Sequence, residues 1–184
     1  EGLCSAGVLP TFKHFPGHGR ADAHGDDAPA RTPDLAAMEQ SDFLPFKEMI
    51  ASMGDRSLLM TGHLDVPGLT DGGEPFSLNP EAMKYLRDTM GYDGVTVTDE
   101  LAEMGAITKR GISVPNAVEM ALVAGNDMAL YFGDVDQMNE VLDHLETVVA
   151  EGRLSEARVD RSLARILALK SSGACASPIA PQGG

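Results

Sequence analysis

Three short stretches gather residue types that can do chemistry. In Lys13-His14-Phe15-Pro16-Gly17-His18-Gly19 a lysine and two histidines share a glycine-rich turn. His14 and His18 have the i, i+4 spacing of a helical metal pair, but Pro16 and Gly17 between them work against a helix. A Lys-His pair at a strand end instead offers N–H donors suited to hydroxyl groups. A plain turn with internally bonded histidines remains the alternative from the residues alone. The second stretch is Val95-Thr96-Val97-Thr98-Asp99-Glu100, where two carboxylates close an apolar run. Asp99 there can act as nucleophile or base, or can simply cap the following helix. The third is Asp22-Ala23-His24, followed at once by Asp26 and Asp27. A histidine titrates near pH 6.5, which suits proton transfer at working pH; a solvated loop histidine is the other reading. His63, after Leu58-Leu59-Met60-Thr61-Gly62, also ends an apolar run, whereas His144 lies among Leu142, Leu145 and Val148 and reads as structural or exposed.

These groups need a frame to hold them. Val8 to Phe12 reads as a short buried strand entering a polar loop from Lys13 to Pro33, long enough to be functional rather than a simple connection. Leu35 to Ser52 reads as helix, broken into two pieces by Pro45. Leu58 to Met60 is the next strand. Asn79-Pro80 signals a helix start, with Asn as N-cap, and the helix runs to about Met90. Val95 to Val97 is a third strand, Asn116 to Ala124 a helix and Met128 to Tyr131 a fourth strand. Val135 to Glu151 and Ser155 to Leu169 form a closing helix pair, the second with Val159, Leu163, Ile166 and Leu167 on one face. Strand and helix thus alternate about four times, and the strands are short continuous apolar runs, as when both faces are buried. That pattern predicts a parallel α/β sheet with helical crossovers. Lys13-His14, His63, Asp99 and Asp127 all fall at or near predicted strand C-terminal ends, the active-site face of a (β/α)8 barrel. Half of a TIM-type barrel is therefore expected over residues 1–170, with a flexible tail over 171–184. Such a half barrel bares two sheet edges, so a further segment or subunit is expected to complete it.

The bulk composition narrows the partners. The 184 residues are 43% hydrophobic and 23% charged, an ordinary globular balance. Fourteen Lys and Arg against 28 Asp and Glu give a net charge of −14, which speaks against a nucleic-acid partner, since that binding rests on neutralising phosphates. No run approaches the roughly 20 apolar residues of a membrane span, and no basic-then-apolar leader opens the sequence. Cys4 and Cys175 are the two cysteines and leave the redox compartment open.

Lys13-His14-Phe15-Pro16-Gly17-His18-Gly19 resembles the signature of bacterial β-N-acetylglucosaminidases of glycoside hydrolase family 3. Val95 to Leu101, followed by Met104-Gly105-Ala106-Ile107, is similar to that family's nucleophile strand. Gly62-His63, Val66-Pro67-Gly68-Leu69 and Ala124-Gly125-Asn126-Asp127-Met128 also resemble family segments in the right order. The similarity spans roughly residues 7 to 170, and two long motifs in order are more specific than either alone.

The resemblance implies the C-terminal half of the catalytic barrel, preceded by strands that carry further sugar-binding Asp and Arg residues. It implies Asp99 as nucleophile and Lys13, His14 and His63 as substrate contacts. It implies a histidine acid/base oriented by an aspartate two residues earlier, which maps onto His24 and Asp22. The pair here stands closer to the glycine motif than in the family, with Ala23 where Ser is usual, so Asp26 and Asp27 are second candidates for the role. The implied activity is retaining, exo-acting release of terminal N-acetylglucosamine from cell-wall (peptidoglycan) fragments, with a small carbohydrate substrate, no metal and no organic cofactor. A family 3 β-glucosidase, a glycoside phosphorylase and a non-catalytic half barrel are the alternatives. Relatives with these motifs are cytoplasmic or exported and lipid-anchored, and the sequence leaves the compartment open.

Overall fold

The computed structural model describes residues 2–172. Its main sheet has four parallel strands: β1 (Thr11–Phe15), β3 (Leu58–Thr61), β5 (Val95–Glu100) and β6 (Met128–Leu130), in the order β1-β3-β5-β6. Two short strands, β2 (Ala30–Arg31) and β4 (Leu64–Asp65), form a separate parallel pair. The helices are α1 (Gly2–Ser5), α2 (Leu35–Glu39), α3 (Leu44–Met53), α4 (Pro80–Lys84), α5 (Gly105–Thr108), α6 (Val114–Ala124), α7 (Val135–Ala150) and α8 (Glu156–Ser171). Each of β1, β3 and β5 is followed by helix and then by the main-sheet strand lying next to it. A doubly wound sheet reverses its strand order at a switch point; this sheet never does, and the architecture is half of a (β/α)8 barrel.

Local chemistry explains the boundaries. Pro45 lies in the first turn of α3 and separates it from α2, as its ring requires. Asn79 caps α4 by accepting the Ala82 N–H, and the helix runs on through a π-helical turn at Tyr85–Thr89. Asp134 and Gln137 form a capping box at the start of α7. Phe15 is buried where the sheet meets α3, its ring 5.0 Å from Phe46 and Phe76 and 5.2 Å from Phe43. A second cluster joins Leu101, Ile107, Val118 and Val141 across α5, α6 and α7.

Four expectations need correction. The first strand begins at Thr11 rather than Val8, which is exposed, so Lys13 and His14 belong to the strand itself. The strands are not buried on both faces: Leu58, Met60, Val97 and Leu130 stay partly accessible. In α8, Val159, Leu163 and Leu167 face outward, while Ser162 and Leu169 are buried. Asp127 precedes β6 and so lies at the N-terminal end of the sheet, beside Thr96. There its buried carboxylate accepts from Arg87 (2.7 Å), Ser162 (2.7 Å) and the Thr96 N–H (3.0 Å). That end of a barrel carries stability, not chemistry. The tail past Ser172, with Cys175, lies outside the described residues.

Candidate active site

Two strands depart from regular pairing, and both do so at the residues with chemical potential. Phe12 pairs with Leu59 and Phe15 with Thr61, so β1 takes three steps where β3 takes two, and the extra residue falls at Lys13-His14. Val97 pairs with Met128 and Glu100 with Leu130, so β5 bulges at Thr98-Asp99. Thr98 Oγ1 accepts the Leu130 N–H at 3.0 Å, keeping that backbone donor satisfied. Bulges re-aim side chains, and these two turn His14 and Asp99 toward each other. His14 Nε2 stands 3.4 Å from Asp99 Oδ2. Both side chains remain accessible, 30% and 16% respectively, as groups awaiting a ligand must.

Glu100, next to Asp99, has a different task. Its buried carboxylate accepts four backbone N–H groups: Ala102 (2.7 Å), Glu103 (2.6 Å), Met104 (3.3 Å) and Phe132 (2.9 Å). It shapes the loop after β5 and ties it to the end of β6. The sequence signal for this role is an acid directly before a short turn, where orphan N–H groups need acceptors.

His63 is not placed as expected. The ring is 1% exposed and both nitrogens are engaged. Nε2 donates to the Glu100 carbonyl at 2.8 Å, so Nδ1 accepts the Ser77 hydroxyl at 2.6 Å. Burial holds its pKa below the ordinary histidine value. With no polar atom to offer a sugar, His63 instead braces the strand end that carries Asp99.

The loop after β1 is pinned at several points. Arg20 bonds to Asp42 (2.8 Å) and to the Ala37 carbonyl (2.8 Å), and it also reaches Ser41. Asp22 Oδ1 accepts the Arg31 N–H at 2.7 Å. No hydrogen bond joins Asp22 to His24 among the described residues, and His24 is exposed. The expected Asp22–His24 pair is therefore not formed in this structure. Further along, Gly105 N–H donates to Asp26 O at 2.8 Å and Ala106 N–H to Gly25 O at 2.9 Å. Gly105 is needed there, because a Cβ would stand 2.3 Å from Asp27 O. His18 packs edge-on against His14, with ring centroids 5.4 Å apart. Its Nε2 is buried without a partner, and burial together with His14 lowers its pKa against the opposite pull of Asp99 and Asp26.

Lys13, Asp26, Met60, Asp99, Glu103 and Phe132 line an open groove of about 480 Å³ at these strand ends. The groove sets one cation, Lys13, among the acidic residues Asp26, Asp99 and Glu103, beside apolar Met60 and Phe132. Among the described residues no group of three or more His, Cys, Asp or Glu side chains converges as a metal site would require. No helix among them is long and apolar enough to cross a membrane.

Parallel β/α units in sequence order, with a polar groove at the strand C-terminal ends, define the catalytic face of a barrel enzyme domain. The chain belongs to glycosyl hydrolase family 3: the family described as "Glycosyl hydrolase family 3 N terminal domain" matches residues 1–169. It is 40% identical over 177 residues to the β-hexosaminidase LpqI of Mycobacterium tuberculosis, covering 92% of this chain and 44% of that protein. The chain thus spans about half the length of the curated relatives it matches first. Among solved structures, a family 3 β-N-acetylglucosaminidase from a Paenibacillus species superposes with a TM-score of 0.87 at 36% identity, covering 100% of this chain and 34% of that one. A family 3 glycosyl hydrolase from Mycobacterium smegmatis superposes with a TM-score of 0.84 at 40% identity, covering 91% of this chain and 52% of that one.

Proposed function

We propose that the protein carrying this chain is a retaining, exo-acting β-N-acetylglucosaminidase that removes terminal N-acetylglucosamine from peptidoglycan fragments. The observation that carries the proposal is the contact between His14 and Asp99, the latter lining a groove together with Lys13. Retention requires a carboxylate that bonds to the anomeric carbon and a second group that moves a proton at the leaving oxygen. Asp99 is the proposed nucleophile. Lys13 and His14 offer N–H donors beside it and are the proposed contacts to the sugar hydroxyls. The proton-transferring group comes from the loop after β1. Likeness to a curated β-hexosaminidase and to a solved β-N-acetylglucosaminidase supports the choice of sugar. The full-length protein should release the chromophore from an aryl β-N-acetylglucosaminide. Faster cleavage of the matching plain β-glucoside would overturn the substrate assignment.

A further inference from the structure

His18 belongs to the same glycine-rich turn as His14, and the two rings touch. We propose that His18 is a positioning residue: its ring is the surface that holds the His14 imidazole in place beside Asp99. The proposal rests on the reading of Asp99 as nucleophile and of His14 as a sugar contact.

Three segments meet on the His18 ring. His14, at the β1 bulge, packs edge-on against it, with centroids 5.4 Å apart and planes at 69°. Gly62, just past β3, borders Nε2: a Cβ there would stand 3.1 Å from that nitrogen and 3.3 Å from the His14 Cβ. Gly25, on the loop after β1, borders Cε1, where a Cβ would stand at 3.7 Å. Both glycine segments are fixed without help from the ring. Gly62 N–H donates to the Phe15 carbonyl at 2.7 Å, and the Gly25 carbonyl accepts the Ala106 N–H at 2.9 Å. His14 is the neighbour that needs support. Its Nε2 stands 3.4 Å from Asp99 Oδ2. That is beyond the roughly 2.7–3.2 Å of a well-formed N–H···O bond, so this contact alone does not fix the imidazole. Edge-to-face packing against His18 supplies the missing restraint. Gly62 permits the arrangement, because β3 lies between β1 and β5 and a side chain at its end would intrude on both histidines.

The orphan nitrogen bears on the same role. A buried polar atom without a partner costs free energy, so its presence asks for a reason. His18 Nε2 is such an atom, and a proton on it would leave a buried N–H unpaired beside a new charge. The ring is therefore uncharged, with its proton on Nδ1. Burial lowers its pKa, as do His14 and His24, while Asp99 and Asp26 pull the other way. An uncharged planar ring supports His14 without placing a second positive charge beside it to compete for Asp99.

The test is a double-mutant cycle in the full-length protein: His14→Ala, His18→Ala and the two together, with His18→Gln and Asp99→Ala alongside. The readout is kcat/KM on an aryl β-N-acetylglucosaminide. His18→Ala should lower it roughly 10- to 100-fold, the scale of a misplaced group near the chemistry. In the His14→Ala background the same change should have almost no further effect, because the group it positions is gone. His18→Gln sets a planar, uncharged amide near the Nε2 position. It should restore most of the lost activity, with the acid limb of the pH profile matching the parent. The cycle is repeated with His18→Leu, which fills the space without a planar face, so that a loss of folding in His18→Ala does not decide the result. Effects of the His14 and His18 changes that multiply would overturn the proposal. So would a His18→Ala or His18→Leu enzyme that melts earlier yet keeps the parent kcat/KM when folded, as a residue serving folding alone would show. Asp99→Ala separates the two readings. If it is inactive while the histidine effects multiply, the positioning role alone fails; if it is fully active, the nucleophile reading fails and the proposal with it.

Discussion

His14 and Asp99 meet at 3.4 Å although their strands are not neighbours: β3 lies between β1 and β5. Alternate strands supply each layer of side chains inside a (β/α)8 barrel, and this contact follows that rule at the catalytic end. His14→Ala should cut kcat/KM about 10- to 100-fold, the equivalent of losing one hydrogen bond to a charged group. Steady-state kinetics on an aryl glycoside would check this; an unchanged kcat/KM would remove His14 from the site.

Glu100 shapes the loop after the strand end that carries Asp99. In Glu100→Gln an N–H₂ group replaces one of the two oxygens that share four backbone donors. The variant should lose about 2 kcal/mol or more of stability, because buried N–H groups are left unpaired. Denaturant titration would measure the loss.

Gly105→Ala tests the clamp on the loop after β1. The added methyl must displace Asp27 O from 2.3 Å, which moves the segment carrying Asp26. Activity on a disaccharide should fall, while activity on a glycoside with a very good leaving group falls less. Equal activity on both substrates to that of the parent would show that the clamp does not set the loop.

Asp127 governs stability and its pH dependence. Burial raises its pKa, but Arg87, Ser162, Thr96 and Arg165 outweigh that and hold it below the ordinary carboxylate range. A folded pKa below the unfolded value gives stability that is present above the unfolded value of about 3.9 and is lost as pH falls through the folded one. Asp127→Asn should cost about 3–5 kcal/mol at neutral pH, because it leaves buried arginines unpaired. It should also flatten the loss of stability below about pH 4. Thermal melts of both forms between neutral and acid pH would show this.

The fold was legible because apolar runs and turn signals alternate, and Asn79-Pro80 and Pro45 mark helix ends by rules of local geometry. Asp99 and the Lys13-His14 pair were legible as polar groups ending apolar runs. The same rule failed for His63, because sequence does not reveal that Ser77 and the Glu100 carbonyl take both ring nitrogens. It failed for Asp127, because an acid between a helix and a strand reads alike whether it opens the strand or closes it. The two bulges were also hidden: register depends on the partner strand, and neither partner's pairing is written locally.

The most direct test of the assignment is covalent labelling of the full-length protein with a slow-reacting fluorinated N-acetylglucosaminide, followed by peptide mapping. The adduct should fall on Asp99, and Asp99→Ala should take up no label while remaining folded. An adduct on Glu100 or Asp26 in the parent protein, or stoichiometric labelling of Asp99→Ala, would contradict Asp99 as the nucleophile.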